Sequence, residues 1–310
     1  QFSPGVWSHD ADQDYVLHFV VEFDRPILRV GSWKDDVVAN DIRELSSGPC
    51  KYAGLFVEFD PVRNPVVQVR SGISLVSVEN AAQNLAAEVT EPFGWDFEAV
   101  REATRRAWNG ELSKIRIETA DPAVRRIFYT ALYHTMIAPS LFCDVNGAYR
   151  GADGAVRRDT TFTNYTTFSL WDTYRAAHPL LTLIHPEKVG DLINTMLRIH
   201  EQQGKLPVWH LMGCETDCMV GNPAIPVVAD ALLKGFGGFD RAKAYEAMKS
   251  SAMRDDRRLD LYKRDGYIPY EFNESVGYCL EYAIADWALA QAAQREGKRE
   301  DYDYFLARSK

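Results

Sequence analysis

The sequence predicts two domains, an N-terminal antiparallel β-sandwich followed by helices arranged as an α/α toroid, each present in part. Three observations predict it. At 310 residues the chain exceeds the size at which one hydrophobic core keeps growing. Up to about residue 90, short β-branched and aromatic runs alternate with turn residues. From Asp121-Pro122 onward, apolar positions recur at helical spacing in segments joined by polar loops of roughly 10–20 residues.

The strands come first. Tyr15–Phe23 and Gly54–Phe59 are β-rich runs. Val66–Arg70 and Ile73–Val78 read as two strands of a hairpin broken at Ser71-Gly72. The period changes near Asn80. Asp96–Ala107 reads as a charged amphipathic connector helix, and Ile115–Thr119 as one more short strand. Asp121 then caps a helix with Pro122 at its first position. The expected helices are 122–139, 172–184, 186–202, 224–236, 240–252, 273–294 and 300–308. The expected domains are therefore a β-sandwich over 1–90, a linker over 91–120 and a helical barrel over 121–310. A closed toroid needs six helix pairs and about seven helices are counted, so the barrel is expected to be incomplete here.

The charge balance narrows the partners. With 44 acidic and 35 basic residues the net charge is −9, which disfavours nucleic acid and anionic membranes, since both need clustered positive charge. No apolar run approaches the roughly 18–20 residues that span a bilayer. The chain begins at Gln1 and reads as a processed or trimmed end. Its five cysteines, Cys50, Cys143, Cys214, Cys218 and Cys279, cannot all pair with one another. Cys214 and Cys218, with only His210 nearby, read as a disulfide or as packing thiols rather than a zinc site.

Four segments set aromatic residues beside carboxylates: 165–178, 205–222, 265–276 and 279–287. A pyranose packs its C–H face on an aromatic ring, while its vicinal hydroxyls favour a carboxylate that accepts two hydrogen bonds. Trp171-Asp172 supplies both groups in adjacent residues, and Trp209, His210 and Glu215 supply the same mixture. Competing structural readings exist for each. Asp172 is a natural cap for a helix starting at Thr173. Glu274 fits an acid of a first helical turn, and the tryptophans fit a core. No nucleophile elbow, phosphate loop or His-Glu-x-x-His motif is present, so the inventory permits acid–base chemistry by carboxylates.

Ile127–His134, Ser169–Leu180, the Gly-Cys-Glu-Thr-x-Cys-Met pattern within Trp209–Gly221, and Asn273–Trp287 together resemble glycoside hydrolase family 92, calcium-dependent exo-α-mannosidases. Ile73–Asn80 looks like that family's last sandwich strand. The resemblance implies a sandwich packed on an (α/α)6 barrel, inverting hydrolysis of terminal α-linked mannose with α-1,2 linkages foremost, and a Ca2+ ion at the sugar. It implies a mannose-containing glycan as partner and an exported bacterial enzyme, extracellular or periplasmic. Asp172 is implied to hold the mannose hydroxyls. Trp171, Trp209, His210, Glu215 and Glu274 are the further substrate-binding candidates. The acid and base are expected after Lys310, with Glu215 the one catalytic candidate inside the chain, and no metal ligand is assigned within it. Asp172 and Glu215 are expected in one cleft, with Trp171 or Trp209 on its wall. Two alternatives stand beside this reading: a mannose-1-phosphodiester hydrolase of the same fold, and a carbohydrate-binding protein without hydrolysis.

Overall fold

The computed structural model describes residues 15–46, 52–63 and 65–310, so Gln1 and Cys50 lie outside the described residues. It separates into two compact units, His18–Thr104 and Arg105–Lys310.

The first unit is built on two antiparallel sheets. β1 (His18–Phe23) pairs with β5 (Val69–Ser74), and β2 (Arg29–Lys34) lies between β3 (Val37–Asn40) and β4 (Ala53–Glu58). The β2–β3 turn puts Asp35 at φ 49° and uses its carboxylate to accept the Tyr52 N–H at 3.0 Å. β5 corrects the hairpin expectation: the strand runs straight through Ser71-Gly72 and ends at Ser74. The glycine serves close approach instead, because a Cβ on Gly72 would lie 2.3 Å from the Ala81 carbonyl oxygen. Ala81 belongs to α1 (Val78–Leu85), capped by Ser77 through its hydroxyl on the Asn80 N–H at 3.1 Å. The change of period thus starts at Val78, a little earlier than the sequence predicts. One π turn (Ala86–Thr90) and a short α2 (Glu91–Phe93) follow, and Gly94 at φ 57° ends the run. Next comes α3 (Phe97–Leu112), longer than expected. Ile115–Thr119 is not a strand.

The second unit is helical, with small antiparallel sheets in its loops. Asp121 accepts the Ala123 N–H at 2.7 Å and Pro122 opens α4 (Pro122–His134), as the sequence predicts. β6 (Ser140–Leu141), β7 (Ala148–Arg150), β8 (Val156–Arg158) and β9 (Tyr165–Thr166) form two ribbons in the following loop. β10 (Phe168–Ser169) leads into a single turn, α5 (Leu170–Thr173), then α6 (Ala177–Ile184) and α7 (Pro186–Gln203). The expected helix over 172–184 is therefore two pieces, broken around Arg175-Ala176. β11 (Trp209–Leu211) and β12 (Cys214–Glu215) precede α8 (Ala224–Leu233), α9 (Arg241–Ala252), α10 (Leu259–Asp265), α11 (Ser275–Arg295) and α12 (Arg299–Arg308). No parallel sheet occurs among the described residues.

The core lies among α7, α8, α9, α11 and α12, around Met196, Ile225, Leu232, Met248, Leu289 and Phe305. Burying an aliphatic or aromatic side chain of this size contributes about 1.5–3 kcal/mol. Ala229, Ala244, Ala288 and Ala292 line the contacts, and their small side chains let the helices approach closely. The four aromatic–carboxylate segments reach these packed faces in part: Phe168, Leu170, Leu206 and Ala285 belong to this core, and 279–287 lies within α11.

Candidate active site

A three-stranded sheet joins the two most distinctive motifs. β11 is central, paired antiparallel with β10 and β12, in the register Ser169↔Trp209, Phe168↔His210 and His210↔Glu215. The turn carrying Trp171-Asp172 follows directly from Ser169. Side chains alternate along a strand, so Trp209 and His210 project to opposite faces of this sheet.

The 205–221 loop is held together by its own acids. Glu215 Oε1 accepts backbone N–H bonds from Trp209 (2.8 Å), Thr216 (3.0 Å) and Asp217 (3.1 Å). Its Oε2 accepts from Val208 (2.9 Å) and from the Gln203 amide (3.3 Å). Burial opposes the charge, whereas the His210 ring and the backbone donors favour it, and the balance holds the carboxyl below its ordinary range. Asp217 pairs with Lys205 at 2.5 Å and Arg257 at 3.0 Å, all three groups largely buried. Arg257 also donates to the carbonyls of Asp217 (2.7 Å) and Met219 (2.6 Å), pinning the loop. His210 is buried with neither ring nitrogen hydrogen-bonded, and burial pushes its pKa down to about 4, so it is neutral near pH 7.

Asp172 is handled differently. The turn of α5 starts at Leu170, two residues ahead of the expected boundary, so Asp172 sits inside it and does not cap a helix at Thr173. The Ser169 hydroxyl donates to Asp172 Oδ2, which fixes the carboxylate while leaving Oδ1 toward solvent. Arg175 lies 4.7 Å over the Trp171 ring and pairs with Glu281 of α11 at 2.5 Å. Tyr174 donates to the same carboxylate at 2.9 Å; burial and this bond push its phenol up to about 12, so it remains a neutral donor. Trp171 itself packs against the buried cluster that includes Val220, Leu259, Tyr262 and Tyr278, with its indole N–H buried, more a wall of the site than an open platform.

Glu274 stands where α11 begins, at the cap position rather than within the first turn, with φ 58° and an exposed carboxylate that makes no cap bond. It lines a cleft of about 630 Å³ between the Asp217–Met219 segment, Asp256–Arg258 and the start of α11. Neither Asp172 nor Glu215 lines this cleft. The Cys218 thiol is raised chiefly by burial, with smaller contributions in the same direction from the negative charges of Glu274 and Asp172. Nine non-glycine residues among the described ones have positive φ, and five of them line this cleft: Asp217, Met219, Arg257, Arg258 and Glu274. Left-handed backbone at such residues costs about 1–3 kcal/mol each and persists where the surroundings over-determine it, commonly at functional sites.

The thiols and the metal question follow from the same geometry. Cys143, Cys214, Cys218 and Cys279 stand as thiols, so the C-x3-C pair is not a disulfide. Among the described residues no group of three His, Cys, Asp or Glu side chains converges as a metal site. The nearby acids show why: Glu215 is saturated by amides and Asp217 by two cations. Neither of these two carboxylates has an oxygen free for a calcium ion.

Sequence reading passed over Lys205, Arg257, Arg258 and the Tyr174–Arg175–Glu281 cluster. Arg254–Arg258 alternates charges in the manner of a solvated loop, and only the ion pair with Asp217 reveals its second arginine as buried. Glu281 carried a usable signal, since it lies one turn from Tyr278 and Tyr282 on α11.

The glycosyl hydrolase family 92 catalytic domain matches residues 80–310. A protein of Arthroderma benhamiae described as an uncharacterized secreted glycosidase is 24% identical over 271 residues, 80% of this chain and 31% of that protein. A family GH92 α-mannosidase of Bacteroides thetaiotaomicron, solved in complex with mannoimidazole, is 36% identical with a TM-score of 0.83 over 94% of this chain and 39% of its own. A family GH92 inverting mannosidase of Bacteroides thetaiotaomicron VPI-5482 is 28% identical with a TM-score of 0.86, over 96% of this chain and 41% of its own. The chain thus spans about two fifths of the length of these structures and a third of the fungal protein. With the matched domain covering both the sheet that joins the Trp171-Asp172 and Trp209 motifs and the cleft beside it, the chain belongs to glycosyl hydrolase family 92.

Proposed function

We propose that this chain contributes the mannose-holding part of an exo-acting α-mannosidase that cleaves terminal α-linked mannose from glycans with inversion, α-1,2 linkages being the first substrates. One observation carries the reading: an exposed Asp172 carboxylate, oriented by the Ser169 hydroxyl, beside the paired motif at Trp209. The family membership and the two mannosidases support it.

In this reading Asp172 accepts hydrogen bonds from two vicinal hydroxyls of the terminal mannose. The Trp171–Arg175–Glu281 stack fixes the turn on which it stands. Glu215 shapes the loop opposite, and the buried His210 keeps that face neutral. An inverting reaction needs a general acid and base about 6.5–9.5 Å apart. The roles proposed for this chain's residues are binding and positioning. Calcium belongs to the reading only as an ion suited to sugar hydroxyls and oxygen ligands, with no ligand assigned to the residues of this chain. The division into a sandwich to about residue 90, a connector to 120 and a barrel from 121 is part of the same proposal, as is export from the cell. No helix among the described residues is long and apolar enough to cross a membrane.

The test, made in the full-length enzyme, is release of free mannose from α-1,2-mannobiose, measured by chromatography. Asp172→Asn should lower kcat/KM about 30- to 1,000-fold, the loss of on the order of 2–4 kcal/mol of transition-state binding. Near-normal kcat/KM would return Asp172 to a structural role. Chelation followed by readdition of Ca2+ should abolish and restore the activity, and activity indifferent to chelator would remove calcium from the proposal.

A further inference from the structure

The strained cleft beside the Asp172 turn has the composition of a polyol site. Arg258, at φ 64°, uses one N–H on the Asn273 carbonyl at 3.0 Å, and its guanidinium lies 4.9 Å from the Tyr278 ring and 5.7 Å from that of Phe272. Two aromatic faces and one carbonyl thus hold the group in place, and its remaining N–H groups are left for a ligand. Glu274, at φ 58° on the same rim, is an exposed carboxylate with no hydrogen bond or ion pair. Arg257 behind them is pinned to Asp217 and Met219, and its Nε–H is buried without a partner.

We propose that this cleft is a second saccharide subsite, in which Arg258 donates to and Glu274 accepts from the hydroxyls of the ring next to the mannose held by Asp172. A planar guanidinium matches a vicinal diol in a way a point charge cannot. Three carboxylates against two guanidinium groups on the lining give the cleft no excess of positive charge, which argues for a neutral ring over a phosphate. The volume of about 630 Å³ admits one. The assignment rests on the mannosidase reading.

The experiment compares α-1,2-mannobiose, which fills both subsites, with α-mannosyl fluoride, which has no second ring. Activity of the wild-type protein on either substrate tests the mannosidase reading. The ratio of the two kcat/KM values tests the subsite. Arg258→Met should lose about 10- to 100-fold on mannobiose, mainly through KM, and at least tenfold less on the fluoride. Arg258→Lys should recover part of that loss. Glu274→Gln, exposed and free of packing partners, should shift the ratio in the same direction and guards against a variant that fails to fold. Equal losses on both substrates, or no loss on either, would overturn the assignment. So would inhibition of the wild type by inorganic phosphate that disappears in Arg258→Met, which would make the cleft an anion site.

Discussion

Two pairs of carboxylates on neighbouring segments are handled in opposite ways. Glu215 and Asp217 are enclosed by donors: five hydrogen bonds reach the first, and two cations lie within 3.0 Å of the second. Asp172 and Glu274 are exposed, one touched by a single serine hydroxyl and the other by nothing. The difference teaches that an acid in a distinctive motif can be building material or be left free to bind, and that the donors around it decide. A buried charge has no ligand to offer, because its lone pairs are already taken. An exposed charge at fixed orientation has both its strength and its vacancy intact.

The comparison can be broken most forcefully at Asp217. Asp217→Ala leaves Lys205 and Arg257 buried together without a counter-charge, and should cost about 3–5 kcal/mol in denaturant unfolding. A loss under about 1 kcal/mol would mean that the loop tolerates the removal and is not built on that pair. Acid probes the same region next. The His210 ring is neutral in both folded and unfolded chains above about pH 6.5. As pH falls toward its folded value of about 4, the unfolded chain takes up a proton that the folded one refuses. Stability should fall by as much as about 3 kcal/mol across that window, and His178, buried with the same folded value, adds a parallel loss. Unfolding curves between pH 7 and 4.5 should therefore flatten in His178→Leu, and an unchanged slope would exclude the mechanism. Glu215→Gln is a smaller perturbation. It turns a charged acceptor of five bonds into an amide that must present N–H to N–H on one side, at about 1–3 kcal/mol. Smallest of all is Asp172→Asn, which should move stability by less than about 0.5 kcal/mol while lowering kcat/KM. A Tm falling as far in Asp172→Asn as in Glu215→Gln would erase the distinction between the two populations.

Much of the fold was legible because it rests on periodicity. The helices from Pro186, Ala224, Arg241 and Arg299 start within a residue or two of their expected positions, where caps and prolines mark them. Gly72 misled because a glycine in a strand run looks the same whether it turns the chain or admits a neighbouring helix. β2 and β3 went unread, since Arg29–Lys34 carries a glycine, a serine and two basic residues and its pairing partners lie elsewhere in the chain. At the site, residue types drew attention to Trp171, Asp172, Glu215 and Glu274. Their division into held and spare groups depends on distances between segments such as 205 and 257, which no local pattern encodes.

The Glu215 carboxylate has a consequence for how the loop breathes. Between Val208 and Asp217 only two short strands exist, yet four amide protons there point at one buried acid. In deuterated solvent those protons can leave only when the carboxylate is released. They should exchange together, on a common slow clock unlike that of ordinary loop amides. The loop would then open as a unit or not at all, and a stretch with little regular secondary structure would rank among the most persistent parts of its surroundings.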